Sequence, residues 1–221
     1  MPRRAVTPRP TQRRGSGIQT RAEIVAAAER RFAEQGFEAT RLEDVAADVG
    51  IRRAAIFYYF RDKLELYNAV LDEVFRSVIE ILPSSGSIGE RLEASLVGWI
   101  DYVARRPSVA RLILREAANA QHGAQSSPFL RVGRAPVEMF LSLIKQGVAS
   151  GELSPVVEPH RFISLMGATT IFHFAAMPWM TVDVSFDIWS PPELERHKRE
   201  IVEIARAMLG IEPAASRNRE G

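Results

Sequence analysis

The chain has 221 residues, 46% of them hydrophobic and 25% charged, the balance of an ordinary globular protein long enough for one large domain or a small one joined to a bigger one. It has no cysteine, which excludes disulfide frameworks, cysteine-ligated zinc and thiol nucleophiles, and which suits a reducing cytoplasm. The formal net charge of +2 hides an asymmetry. Arg3, Arg4, Arg9, Arg13 and Arg14 make residues 1–19 strongly basic with no acid, residues 20–63 are neutral as a block, and the remainder is net acidic. Basic character that could meet nucleic acid therefore sits at the amino end, while the larger part would repel it.

Residues 1–17, rich in Arg, Pro and Gly, are expected to form a disordered basic arm. No apolar stretch follows the arginines, so they do not read as a secretion signal. The arm is either a solubilising tail or a segment that lies along DNA. Helical periodicity then runs from Ile18 to Gly36, with Ile24, Ala27, Ala28, Phe32 and Ala33 on one face. Thr20 is the expected N-cap, with Glu23 completing a capping box, and Gly36 is a natural stop. Thr40 is expected to cap a second short helix ending at Val49-Gly50, again with an acid (Glu43) three residues on. A third helix is predicted over 53–60 and a fourth from about Asp62 to Leu82.

Pro83 to Ser87 reads as a loop, and the rest is again helical: 88–106, 107–121, 128–150, 158–178 and 191–210, with a frayed tail over 211–221. No period-2 alternation of any length occurs, so the expected fold is all-α. Phe162 to Thr181 has no charged residue, but Ser164, Gly167, Thr169, Thr170, His173 and Pro178 interrupt it. It is read as a helix buried on most sides or at a dimer seam rather than as a membrane span.

The informative stretch lies between Thr40 and Phe60. Two short helices meet at Gly50, a residue able to take the positive φ of a tight turn, with small Ala46 before it and Val45, Val49 and Ile51 as an apolar seam. That is the sequence form of a helix-turn-helix. On a helical wheel Ile56 and Phe60 share the core side, which leaves Ala54, Ala55, Phe57 and Tyr58 outward, flanked by Arg53 and Tyr59. Small residues let a backbone approach base edges, and apolar groups can meet thymine methyls. Arg52 and Arg53 stand at a helix start, where the macrodipole disfavours cations, so an anionic partner is expected there.

Thr40, Val45-Ala46, Val49-Gly50-Ile51, Ile56-Phe57-Tyr58-Tyr59-Phe60 and Lys63 together resemble the TetR family of bacterial regulators, over a stretch from Thr20 to Tyr67. The resemblance implies that Thr40 and Lys63 hold phosphates, that Phe57 and Tyr58 face the DNA, and that Arg53 and Ala55 read base edges. Arg41, Arg52, Ala54 and Tyr59 complete the candidate contacts. Three departures are visible: Arg52, Ala54 and Phe57 stand where the family often has Ser, Gly and Tyr. Losing the Ser would cost an N-cap about 1 kcal/mol, and losing the Tyr hydroxyl a phosphate hydrogen bond, contacts that Arg52 and the arm could replace.

The resemblance further implies a helix-turn-helix DNA-binding domain over 18–63 and a larger helical ligand-binding and dimerisation domain over 64–210, its last two long helices pairing across a two-fold axis. Candidate effector contacts are Phe75, Trp99, Tyr102, Leu112, Glu116, Phe140, Ile144, Thr170, His173 and Met177, though most aromatic stripes at helical spacing are core. The polar members need partners if buried, and a backbone-satisfied core imidazole is an equal reading of His173. The four histidines are scattered, and no nucleotide loop, nucleophile elbow or paired-carboxylate pattern occurs. No catalytic residue, metal or cofactor is therefore expected. The expected partners are duplex DNA, a small apolar effector and a second copy of the chain, with no membrane. Two other readings stay open: a sequence-non-specific nucleoid-type binder, and a helical enzyme carrying a DNA-binding module.

Overall fold

The computed structural model describes residues 17–119, 128–180 and 187–211; the expected arm, Gly17 apart, and the tail beyond Ile211 lie outside them. Among these residues there are nine helices and no strand: α1 (Gly17–Ala39), α2 (Leu42–Val49), α3 (Arg53–Ile56), α4 (Lys63–Glu80), α5 (Ile88–Arg105), α6 (Pro107–Asn119), α7 (Pro128–Ser150), α8 (Pro159–Met180) and α9 (Pro191–Leu209).

The stripe predicted for α1 is the buried one: Ile24, Ala27, Ala28, Phe32 and Ala33 are at most 4% exposed. The helix begins at Gly17, so Thr20 sits within its first turn and is not its cap. The stop at Gly36 takes the form of a kink, with φ +83° where an L side chain would be strained. Phe32 stacks on Phe37 and meets the edge of Tyr67 from α4 at 4.9 Å, which ties the first helix to the fourth. Gly50 has φ +73°, and a Cβ added there would meet nothing within 4 Å. Backbone conformation alone, not space, selects glycine at the turn.

The third helix is shorter than its pattern suggests. Past Ile56 the chain tightens: Tyr58 N–H donates to Ala55 O and Tyr59 N–H to Ile56 O, while Phe60 N–H returns to Ile56 O at 2.9 Å. Consecutive aromatic side chains lose χ1 freedom against a preceding α-turn, and the tighter turn still buries both Ile56 and Phe60. Asp62 then caps α4 by accepting the Glu65 N–H at 2.8 Å. α5 begins with a capping box formed by Ser87 and Glu90.

α1 packs on α6, α4 and α2, whereas α8 packs on α6, α5, α7 and α9. One side of α8 is interior (Phe162, Met166, Thr170, Ile171 and Phe174), but Leu165 and Phe172 on its other side are half exposed and Trp179 is 90% exposed. The helix is therefore buried on one side and apolar on both. No helix among the described residues is long and apolar enough to cross a membrane.

Where α8 meets α9, the rings of His173 and His197 stack in parallel, 3.8 Å apart. Burial pushes both imidazoles down, His197 to about 4 with the neighbouring His173 adding to it, while Glu200 opposes the shift at His173. The pair is thus neutral at pH 7. Below about 6.5 an unfolded imidazole takes up a proton that the folded one refuses, so stability falls as pH drops towards 4. Between pH 7 and pH 4 the wild type should lose on the order of 2–3 kcal/mol more unfolding free energy than His197→Phe, measured by urea denaturation.

Candidate DNA interface and apolar cavity

The surface formed by α3 and the turn after it follows from its two anchors. Ile56 and Phe60 are 0% and 1% exposed, and this forces the intervening side chains outward. Tyr58 is 85% and Phe57 45% exposed. Ala54 is exposed and Ala55 half-buried, so the backbone is accessible beside the aromatics. Tyr59 lies half-buried with its ring edge-on to Tyr58, and its hydroxyl reaches the start of α1 near Gly17. The Arg21 guanidinium sits 4.9 Å over the Phe60 ring, which clamps the first turns of α1 to the same unit.

Arg41 and Arg52 are exposed at the starts of α2 and α3, and neither side chain makes an ion pair among the described residues. Arg53 pairs with Glu43 at 3.0 Å and lies 5.5 Å over Phe57. Both partners of that pair are 55% exposed, so it is worth little and can be exchanged for an anionic partner.

Two expected contacts are placed differently. Thr40 does not cap α2: the N-cap is Arg41, without a side-chain hydrogen bond. Thr40 is 2% exposed, and its hydroxyl donates to Gly36 O at 2.7 Å, closing the kinked end of α1. Lys63 donates from Nζ to Phe37 O (2.7 Å), Glu38 O (3.0 Å) and Thr40 O (3.2 Å), and lies over the Phe37 ring. Its three ammonium protons are spent on carbonyls left over where α1 ends, the place where a cation is most favourable. The structure thus brings Thr40 and Lys63 together as the fastening between α1 and α4. Neither aims a free donor outward.

The larger part carries a partly open apolar cavity of about 160 Å³. Its walls come from Val78 and Ile81, from Leu92, Ser95, Leu96 and Trp99 of α5, from Pro136, Val137 and Phe140 of α7, and from Phe162, Ile163, Met166 and Gly167 of α8. Of the ten expected effector contacts, Trp99 and Phe140 are among them. Phe75 packs instead on Phe129, Tyr102 stacks behind Trp99, and Leu112 and Ile144 are fully enclosed core. Thr170 spends its hydroxyl on Met166 O of its own helix, as buried threonines in helices do. Glu116 lies beside Tyr67, where burial and this carboxylate push the phenol up, and His173 is stacked on His197. Met177 is half-buried against the core. Ser95 is the single hydroxyl-bearing side chain of the wall, and its hydroxyl is taken up by Arg91 O at 2.7 Å. The rest of the lining consists mostly of ordinary core residues, whose shortfall in packing has no sequence signature.

Two family models match the chain. Residues 24–70 match the bacterial regulatory proteins of the tetR family, and residues 90–204 match a tetracyclin repressor-like C-terminal domain. The chain belongs to the TetR family. Among its relatives is the HTH-type transcriptional regulator TtgR of Pseudomonas putida, 39% identical over 72 residues. That match covers 33% of this chain and only 34% of TtgR, so it is confined to about a third of the relative's length. The HTH-type transcriptional repressor BepR of Brucella suis biovar 1 is 26% identical over 152 residues, 64% of this chain and 72% of BepR. The fatty acid degradation regulator FadR from Bacillus halodurans shares the fold, with a TM-score of 0.64 at 16% identity over 88% of this chain and 96% of FadR.

The placement of Lys63 in this TetR-family chain is directly testable. Lys63→Ala should lower the unfolding free energy by about 1–3 kcal/mol, because several carbonyls lose a charged donor. The slope of log K against log salt for DNA binding should stay at the wild-type value. A slope shallower by about 1 would make Lys63 a phosphate contact instead.

Proposed function

We propose that the chain is a ligand-responsive transcriptional regulator, a repressor in its unliganded state, that binds a palindromic operator as a homodimer. The observation that carries this reading is the surface of α3 and its turn: small Ala54 and Ala55 beside outward Phe57 and Tyr58, with Arg41 and Arg52, unpaired among the described residues, at its edge. An exposed aromatic pair costs solubility, and unpaired arginines at helix starts oppose the dipole. Both features are accounted for by duplex DNA, where arginines meet phosphates or guanine and the apolar groups meet thymine methyls.

Dimerisation is supported by the outer side of α8, where Leu165, Phe172 and Trp179 lack a cover among the described residues, and by Ile204 of α9, which is 48% exposed. Two copies facing each other through these helices would bury that apolar strip. Two heads would then lie one helical turn of DNA apart, about 34–36 Å.

The effector is a largely apolar molecule, because the cavity wall offers it no free polar side chain. An apolar cavity of about 150 Å³ stays dry and accepts a benzene-sized guest. A larger effector that displaces the lining, rather than extending through the open side, would supply the physical source of the response.

Selection of bound fragments by the full chain from random-sequence duplex DNA should enrich a palindrome whose half-sites are about 10 base pairs apart. Binding that depends on salt but enriches no palindrome would leave a sequence-non-specific binder and overturn the regulator reading. On the selected site, Arg53→Ala should relax preference at one position per half-site at a cost of about 1–3 kcal/mol. A loss uniform across sequences would assign Arg53 to the phosphates.

A further inference from the structure

We propose that occupation of the apolar cavity is passed to the DNA-binding head through α5, by a relay of Trp99, Tyr102 and Arg106 onto the buried carboxylate of Glu29. This rests on the effector reading above, and it adds a route separate from the chain continuity between Phe60 and α4.

Each step is a contact. Trp99 forms part of the cavity wall. One turn along α5 its ring stacks on Tyr102, with centroids 5.9 Å apart and planes 26° from parallel. The Tyr102 hydroxyl accepts from the Arg106 guanidinium at 2.8 Å, and the same guanidinium lies 5.0 Å over the Tyr102 ring. Arg106 in turn pairs with Glu29 of α1, whose other oxygen accepts from the Ser108 hydroxyl at 2.6 Å. The Glu29 side chain is 4% exposed and that of Arg106 30%. Glu29 belongs to the helix that carries Phe32 and packs against α2, so it moves with the head.

The stiffness of the relay has a physical cause. A buried carboxylate deprived of its cation has nowhere to be solvated, so Glu29 follows Arg106 rather than releasing it. Arg106, held by hydrogen bond and by ring, follows Tyr102. An occupant too large for about 160 Å³ presses on Trp99, and the stacked pair conveys the shift to α1. Contiguity alone does not establish coupling; the relay has to fail when one link is removed.

Gly167 supplies an occupant without a ligand. It lies in the cavity wall on α8, and a Cβ built there meets nothing within 4 Å. Gly167→Phe adds a ring to the cavity wall at a position with room for it, and a crystal structure of the variant checks that the ring occupies the cavity. Tyr102→Leu removes at once the ring that stacks on Trp99 and the ring and hydroxyl that hold Arg106. Amide hydrogen exchange is compared across the full-length wild type, the two single variants and the double variant. We expect Gly167→Phe to change exchange of the α1 amides around Glu29 by at least about five-fold, and this change to vanish in the double variant. A change in α1 that persists without the Tyr102 ring and hydroxyl overturns the relay. A response in α5 and α8 that never reaches α1 also overturns it. If α5 and α8 do not respond either, the cavity does not sense an occupant, and both the relay and the effector reading fall; the DNA selection experiment stands apart from either outcome.

Discussion

Glu29 is an acid on the buried face of the first helix, and its burial constrains how the rest of the molecule can be arranged. A carboxylate taken out of water must be met by a cation and by hydrogen-bond donors or it destabilises the fold. Arg106 and Ser108, either side of the break between α5 and α6, are the groups that meet it. That requirement sets the position of α1 against the α5–α6 corner. From there the hydrophobic contacts take over: Phe32 against Phe37 and Tyr67 joins the same helix to α4. The head is thus fastened to the body at three points along one helix, by an ion pair, by aromatic packing and by the Lys63 ammonium at the kinked end.

The parts of this arrangement that depend on local chemistry were legible in the sequence. Gly50 had to be a positive-φ turn, Ile56 and Phe60 had to share the core side, and Phe57 and Tyr58 had to face out, because these follow from periodicity and from one residue's backbone freedom. Thr40 and Lys63 turn inward for a definite reason. Their partners are the carbonyls of Gly36, Phe37 and Glu38, and those become available only because α1 ends in a kink beneath α4. Hydroxyls and ammonium groups carry no sequence mark saying whether a phosphate or a backbone carbonyl will claim them.

The cavity was illegible for a different reason. Its wall is made of the residues that fill any helical core, and what distinguishes it is volume left unfilled where α4, α5, α7 and α8 meet. Polar residues on apolar faces were the natural candidates, since polar groups orient ligands. Thr170 and Ser95 answer that expectation by bonding their own helices, and His173 by stacking on a second imidazole. The wall that remains is almost wholly apolar, so a molecule lodged there would be held by shape and size rather than by hydrogen bonding.

The brevity of α3 ties these features together. Four residues with no side-chain cap cannot hold a conformation by their own hydrogen bonds. The outward face of Ala54, Phe57 and Tyr58 is positioned by what Ile56 and Phe60 are buried against, and by Arg21 reaching over Phe60 from α1. An input that deformed α3 itself would work against that packing, whereas an input that moves the whole head leaves it intact. The seam can supply such an input. It is polar and directional at Glu29, and it lies one helical turn beyond a tyrosine that touches the cavity wall. A shift exerted there would change where the outward face of α3 sits while leaving its internal geometry unchanged.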